Sequence, residues 1–237
     1  MSYLDSLFSK NIKKDNVNTI FELGSRDVLD AKKLQQYYAA TVYAFECNPD
    51  CLKECDKNIK GTTNIVLVRK AISEVDGPVK FYPFDLEKYD NMGASSMLQI
   101  DFSKRNPSDP DFNIPSPQKE IWVPGTRLDT FMDINRIPSV DLLCIDLQGY
   151  ELNALKSLGN RLKDVKYIIT ECSIQSTYTN GATFEQVLAY LQSYGFLYIC
   201  SNQYAYLCNN SFGYLYPDPS ATGHSEFDAL FININKN

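Results

Sequence analysis

Val17-Asn-Thr-Ile-Phe-Glu-Leu23 is a short apolar run that ends in an acid and meets Gly24, and residues 27–38 then carry apolar side chains at helical intervals. The pattern predicts a strand, a tight turn and a helix. Thr41-Val-Tyr-Ala-Phe-Glu46 repeats the strand signal, and Asn64-Ile-Val-Leu-Val68 adds a third strand. Between them Asn48 supplies an N-cap and Pro49 the first position of a helix continuing through residues 50–59. Strands and helices that alternate this closely form parallel βαβ units, whose crossovers are nearly always right-handed.

Beyond this core, the pattern changes over residues 77–124. Shorter alternating segments occur at 79–84, 94–100 and 119–123, separated by residues 106–117 with their four prolines. They predict a β-rich insertion with a loop, inside one domain that spans residues 1–237. Regular α/β structure resumes with a strand at 140–146, a helix at about 150–158 and a strand at 165–171. A helix over 183–194, stopped by Gly195, leads to two closing strands at 196–201 and 227–233. The expected fold is therefore α/β, with a mostly parallel seven-stranded sheet, helices on both faces and a late antiparallel hairpin.

The chain has 237 residues, 44% of them apolar, enough for one substantial core. No stretch approaches the roughly 20 apolar residues of a membrane span, and the amino terminus lacks a basic flank followed by an apolar signal core. A cytoplasmic protein is expected. Its 7 cysteines are an odd number with no disulfide-scaffold pattern, which fits reduced thiols. Cys47, Cys51 and Cys55 fall on one side of a helix, but their spacing suits neither zinc nor an iron–sulfur cluster. The net charge of −6, with no lysine and arginine block, disfavours nucleic acid as a partner. Self-association is left open.

Open parallel sheets bind ligands at the carboxyl ends of their strands. Four acids end apolar strands here: Glu22, Glu46, Asp146 and Glu171. Glu46 stands about twenty residues beyond the first glycine turn, where an acid accepts hydrogen bonds from both hydroxyls of a ribose; the competing reading is a helix cap. The turn Glu22-Leu-Gly24-Ser25-Arg26-Asp27 has only one glycine, which argues for an adenosine cofactor without a diphosphate. Gly24 lets the backbone pass close to a methionine-like tail, and Glu22 is placed to hold its ammonium group, directly or through water.

Ser139-Val-Asp-Leu-Leu-Cys-Ile-Asp146-Leu-Gln-Gly149-Tyr-Glu151 resembles the strand–D-x-[EQ]-G-x-E–helix signature of the FkbM-type methyltransferases. The likeness runs from Thr19 to about Ile232, with further landmarks in order: Phe45-Glu46, Ala71-Ile72-Ser73, Ser95-Ser96, Thr126-Arg-Leu-Asp129 and Thr170-Glu171. Two positions depart from it: Val28 replaces a second glycine common in the first turn, and Cys144 replaces a common lysine.

The resemblance implies a Rossmann-like class I methyltransferase that uses S-adenosylmethionine. Ala71 and Ile72 would flank the adenine, Ser95 and Ser96 would lie near the cofactor, and Asp146 with Gln148 would sit beside the methyl sulfonium. Glu22, Gly24, Ser25, Glu46 and Cys47 complete the expected cofactor set. The acceptor it implies is a hydroxyl of a sugar, glycan or related metabolite, so O-methylation is expected. A catalytically silent cofactor-binding partner is an alternative, opposed by retention of Asp146, Gln148, Gly149 and Glu151. An RNA ribose 2′-O-methyltransferase is another, opposed by the missing basic stripe and lysine–aspartate–lysine–glutamate set.

Methyl transfer from a sulfonium needs alignment of oxygen, carbon and sulfur and removal of the acceptor proton. Asp146 and Glu171, on neighbouring strand ends, are candidate catalytic groups, and together are weighed as ligands for Mg2+ or Ca2+. His224, the only histidine, is the third candidate base. The tyrosines and phenylalanine at 204, 206, 212, 214 and 216 are read either as a platform for a sugar ring or as ordinary packing.

Overall fold

In the computed structural model, which describes residues 3–87, 92–101, 118–202, 206–209, 215–217 and 226–236, the amino-terminal segment forms a short helix α1 (Ser6–Ser9) before the first strand. The first half then reads β1 (Thr19–Leu23), α2 (Leu29–Tyr38), β2 (Thr41–Phe45), α3 (Pro49–Asn58) and β3 (Ile65–Val68). The insertion contributes β4 (Ala71–Ile72), β5 (Gly77–Phe81) and β6 (Ile121–Thr126), followed by α4 (Leu128–Ile134). The second half reads β7 (Val140–Ile145), α5 (Glu151–Lys156), β8 (Val165–Ser173), α6 (Phe184–Ser193) and β9 (Phe196–Ser201). It closes with a small antiparallel pair, β10 (Tyr206–Asn209) and β11 (Leu215–Pro217), and with β12 (Glu226–Asn233).

Seven strands form one sheet in the order β3-β2-β1-β7-β8-β12-β9. The pairs from β3 to β8 are parallel, and β12 is antiparallel to both of its neighbours. The reversal of strand order lies between β1 and β7, where ligands of such sheets bind. A second sheet, β4-β6-β5, draws its strands from residues 71–72, 77–81 and 121–126, so that it begins before the stretch 77–124 read as β-rich in the sequence. Residues 106–117 lie outside the described residues, as do the side chains of the aromatic group at 204–216.

Alternation along each strand fills two cores. Phe21, Leu23, Leu143 and Ile145 face α4, α5 and α6, in a cluster with Phe131, Leu155 and Leu191. Ile20, Leu142 and Cys144 face the other way, toward Phe8, Ala31, Leu34 and Cys55 of α1, α2 and α3. A sheet buried on both faces reads as continuous apolar strands, which is why these were visible in the sequence.

Local chemistry accounts for most element ends. Asn48 accepts from the Asp50 amide with Pro49 at the first helical position, and α6 starts with a Thr183–Gln186 capping box. The helix α2 begins two residues later than expected because Val28 has φ +68°, outside the right-handed region. A β-branched residue is uncommon there and costs about 1–3 kcal/mol. Its side chain is fully buried, so packing holds the turn that a second glycine would adopt without strain. The helices α1 and α4, of 4 and 7 residues, were not anticipated; one or two turns carry too little periodicity to read.

Candidate active site

The carboxyl ends of β1, β2 and β7 open onto a cleft of about 920 Å³, the open solvent at its mouth included. All the expected cofactor residues line it: Glu22, Gly24, Ser25, Glu46, Cys47, Ala71, Ile72, Ser95, Ser96, Asp146 and Gln148. They come from separate segments of the chain, brought together by the sheet order.

At the β1 end the chain turns at Gly24, φ +85°, and passes against the end of β7. The amides of Gly24 and Ser25 both donate to the Phe45 carbonyl, at 3.1 and 2.9 Å. Glu22 is 1% exposed and accepts a short hydrogen bond from the Ser25 hydroxyl. Burial, against that bond and reinforced by the charges of Asp30, Asp27 and Glu46, pushes its carboxyl up to about 8. A buried acid with so little compensation is suited to a cationic ligand group.

Glu46 does two things at once. One carboxylate oxygen accepts from the Cys47 and Asn48 amides at 2.8 and 2.7 Å, and the other from the Arg26 amide at 2.8 Å. These bonds fall on residues ahead of α3, whose N-cap is Asn48, and tie the β1 turn to the β2 turn. A carboxylate has about four acceptor positions, so one remains for a ligand hydroxyl. Burial pushes this carboxyl upward, opposed by the three amides.

The Asp146 end is built by a tight loop in which Gln148 has φ +53° and Gly149 φ +93°. Glu151 folds back to accept from the Leu147 and Gly149 amides at 3.0 and 3.1 Å, and so serves as the clamp of its own loop. Its burial pushes the carboxyl up to about 7. The Gln148 amide nitrogen donates to Asp146 Oδ1 at 2.8 Å and to Glu171 Oε2 at 3.0 Å, bridging the two strand ends. Burial and the Asp146 charge drive Glu171 well upward; burial also raises Asp146, opposed chiefly by the Gln148 amide. Glu171 does not line the cleft; it stands behind Asp146 and Gln148.

Two tyrosines that sequence reasoning passed over belong here. Tyr178 Oη lies 3.1 Å from Gln148 Oε1 and 3.1 Å from the Ala94 carbonyl, while its ring packs on Gly149. Tyr3, from the amino-terminal segment, lines the cleft beside Glu22 and Asp146. Neither sits on a periodic element or in a motif, so no sequence signal marked them.

Ser96 and Ser95 hold the insertion to the site. Ser96 Oγ donates toward the Gln148 carbonyl at 2.8 Å, and Ser95 Oγ accepts from the Asn48 side chain at 3.3 Å. The Thr126-Arg-Leu-Asp129 landmark is a structural tie: Arg127 makes a two-pronged pair with Asp129 and reaches the Glu74 and Ser157 carbonyls. Cys51 and Cys55 are buried on the inner face of α3. Cys144 is sealed in the core and does not line the cleft, so no cofactor or substrate contact comes from that position. His224 lies outside the described residues.

A metal site at Asp146 and Glu171 requires oxygen donors pointing at a shared point. The Gln148 NH2 group donates to both carboxylates, which also share a hydrogen bond with each other, and a nitrogen with its hydrogens turned that way is no ligand. Among the described residues no group of three or more histidine, cysteine, aspartate or glutamate side chains gathers for a metal. The residues as arranged do not fit a divalent ion. Among the same residues no helix is long and apolar enough to cross a membrane.

Residues 24–198 match the model of the FkbM methyltransferase domain. Over 178 residues, 74% of this chain and 71% of the relative, the sequence is 26% identical to the 2-O-methyltransferase NoeI of Sinorhizobium fredii. It is 22% identical over 133 residues to the hexuronic acid methyltransferase AglP of Haloferax volcanii, covering 56% of this chain and about half, 47%, of that protein. Among solved structures, Aeropyrum pernix fibrillarin with natively bound S-adenosyl-L-methionine aligns with a TM-score of 0.51 at 10% identity, over 98% of this chain and 74% of that one. This last likeness concerns the fold.

Proposed function

The chain belongs to the FkbM methyltransferase family, and from that premise we propose that it transfers a methyl group from S-adenosylmethionine to a hydroxyl oxygen of a sugar or glycan. The observation that carries the proposal is the single cleft in which Glu22, Glu46 and Asp146, the acidic ends of β1, β2 and β7, converge. The choice of acceptor rests on the names of the two relatives, one a 2-O-methyltransferase and the other a hexuronic acid methyltransferase.

Bound S-adenosylmethionine supplies an activated methyl on a sulfonium, so the remaining work falls to the protein. Glu22 receives the ammonium of the amino-acid tail, and Glu46 accepts from a ribose hydroxyl with its remaining acceptor position. Ala71 and Ile72, both buried at the cleft wall, offer an apolar flank for the adenine. Asp146 opens onto the cleft, where it would take the proton of the acceptor hydroxyl. Gln148 fixes Asp146 in place, and Glu171, kept protonated by its surroundings, leaves the negative charge on Asp146. His224 is the second candidate base. No step is routed through a metal ion.

The test is calorimetric titration of S-adenosylmethionine and S-adenosylhomocysteine, followed by methyl-transfer assays on a panel of sugars and glycans. Glu46→Ala is expected to weaken binding tenfold or more, as loss of a charge-assisted hydrogen bond does. Wild-type protein that binds neither nucleoside would overturn the proposal.

A further inference from the structure

The β1 turn has committed its backbone donors. The Gly24 and Ser25 amides go to the Phe45 carbonyl, the Arg26 amide to Glu46, the Asp27 and Val28 amides to the Ser25 carbonyl, and the Leu29 amide to Asp27 Oδ1. The Ser25 hydroxyl donates to Glu22. An amino-acid tail brings a carboxylate as well as an ammonium, and this end of the cleft is lined by Glu22, Asp27, Asp30 and Asp146. A carboxylate entering there needs a donor that the turn no longer offers.

The amino-terminal segment provides one. Phe8, Ile12 and Val17 are buried in the core on the α2 side of the sheet, and the Leu7 carbonyl accepts from the Cys200 thiol of β9 at 3.4 Å. This anchorage delivers Tyr3, 4% exposed, into the cleft wall. Its hydroxyl makes no hydrogen bond to any described residue. Burial and the charges of Asp146 and Glu22 raise its pKa well above the ordinary range, so it remains a donor. Among the described residues, Arg26 is another donor near this end; its guanidinium is 59% exposed and leans on Asp27 at 3.5 Å.

Building on the proposed cofactor, we infer that the Tyr3 hydroxyl donates a hydrogen bond to the carboxylate of the cofactor's amino-acid tail, so that a segment preceding the family-matched residues 24–198 completes the site. Glu22 and Tyr3 then divide the zwitterion between them, one for each charge.

The experiment compares binding of S-adenosylhomocysteine with that of 5′-methylthioadenosine, which keeps adenosine and sulfur but lacks the amino-acid group. Wild type, Tyr3→Phe and Arg26→Gln are titrated, with thermal melting as a check of folding. Tyr3→Phe keeps the packed ring and is expected to melt as wild type does, to bind S-adenosylhomocysteine about tenfold more weakly and to bind methylthioadenosine unchanged. Unchanged binding of both nucleosides, an equal loss for both, or a selective loss in Arg26→Gln alone would overturn the inference. Failure of wild type to bind either nucleoside would instead count against the proposed function.

Discussion

The carbonyl oxygen of Asp146 lies 1.9 Å from the point at which Gly24 would carry a Cβ. The turn after β1 and the end of β7 therefore touch through bare backbone, and that contact sets the floor of the cleft. Gly24→Ala is expected to force the strand ends apart and to lower Tm measurably, since φ +85° alone costs an alanine about 1–3 kcal/mol. Cofactor affinity should fall with it. A variant that melts and binds like wild type would show that the two strand ends separate freely.

Glu22 makes stability depend on pH. Its folded pKa of about 8 lies above the ordinary carboxyl value of 4.5, so folding takes up a proton between these limits. The stability this confers is fully present below the lower value and is lost as pH rises through the upper one. Tm of the ligand-free protein should fall from about pH 5 to about pH 9, and Glu22→Gln should flatten the slope. Glu151, raised to about 7, contributes in the same direction and leaves a residual slope in the variant. Parallel Tm profiles for wild type and Glu22→Gln would refute the assignment.

Gln148 is expected to govern the proton-accepting limb of the rate profile. Its amide donates to Asp146 and Glu171 and so favours their charged forms. Without those donors the Asp146 pKa rises, and in Gln148→Ala the rising limb of kcat against pH should move to higher pH. A reduction of kcat with the limb unmoved would mean that Gln148 only packs.

Excess chelator is expected to leave methyl transfer unchanged. Asp146 and Glu171 hydrogen-bond each other and both accept from the Gln148 amide, and a cation there would have to displace these bonds. Activity lost in chelator and restored by Mg2+ would overturn this arrangement.

Much of this site could be read in the sequence because strand ends advertise themselves. Glu22, Glu46 and Asp146 each follow an apolar run long enough to cross the sheet, and a parallel sheet brings such ends to one edge. Asn48-Pro49 marked its helix start by capping chemistry, which is local in the chain. What stayed hidden depends on long-range contacts. Tyr178 meets Gln148 across 30 positions of chain, and Tyr3 reaches Asp146 from the far terminus. The Gln148 bridge, which argues against a shared metal, follows from a side-chain orientation set by a left-handed loop residue. Glu46 was offered as a ribose contact or a helix cap; its three amide bonds lie ahead of α3, which Asn48 caps, and leave one position open for a ribose.

The antiparallel course of β12 has a consequence for how such a protein diversifies. Because β12 runs against β8 and β9, the chain leaves the end of β9 and re-enters at the start of β12 on the same edge of the sheet, the edge that holds Asp146. Asn202 and Asp228 close the base of this excursion with two reciprocal hydrogen bonds, at 2.9 Å each. The tie fixes where the connection from β9 to β12 leaves and rejoins the sheet, whatever sequence lies between.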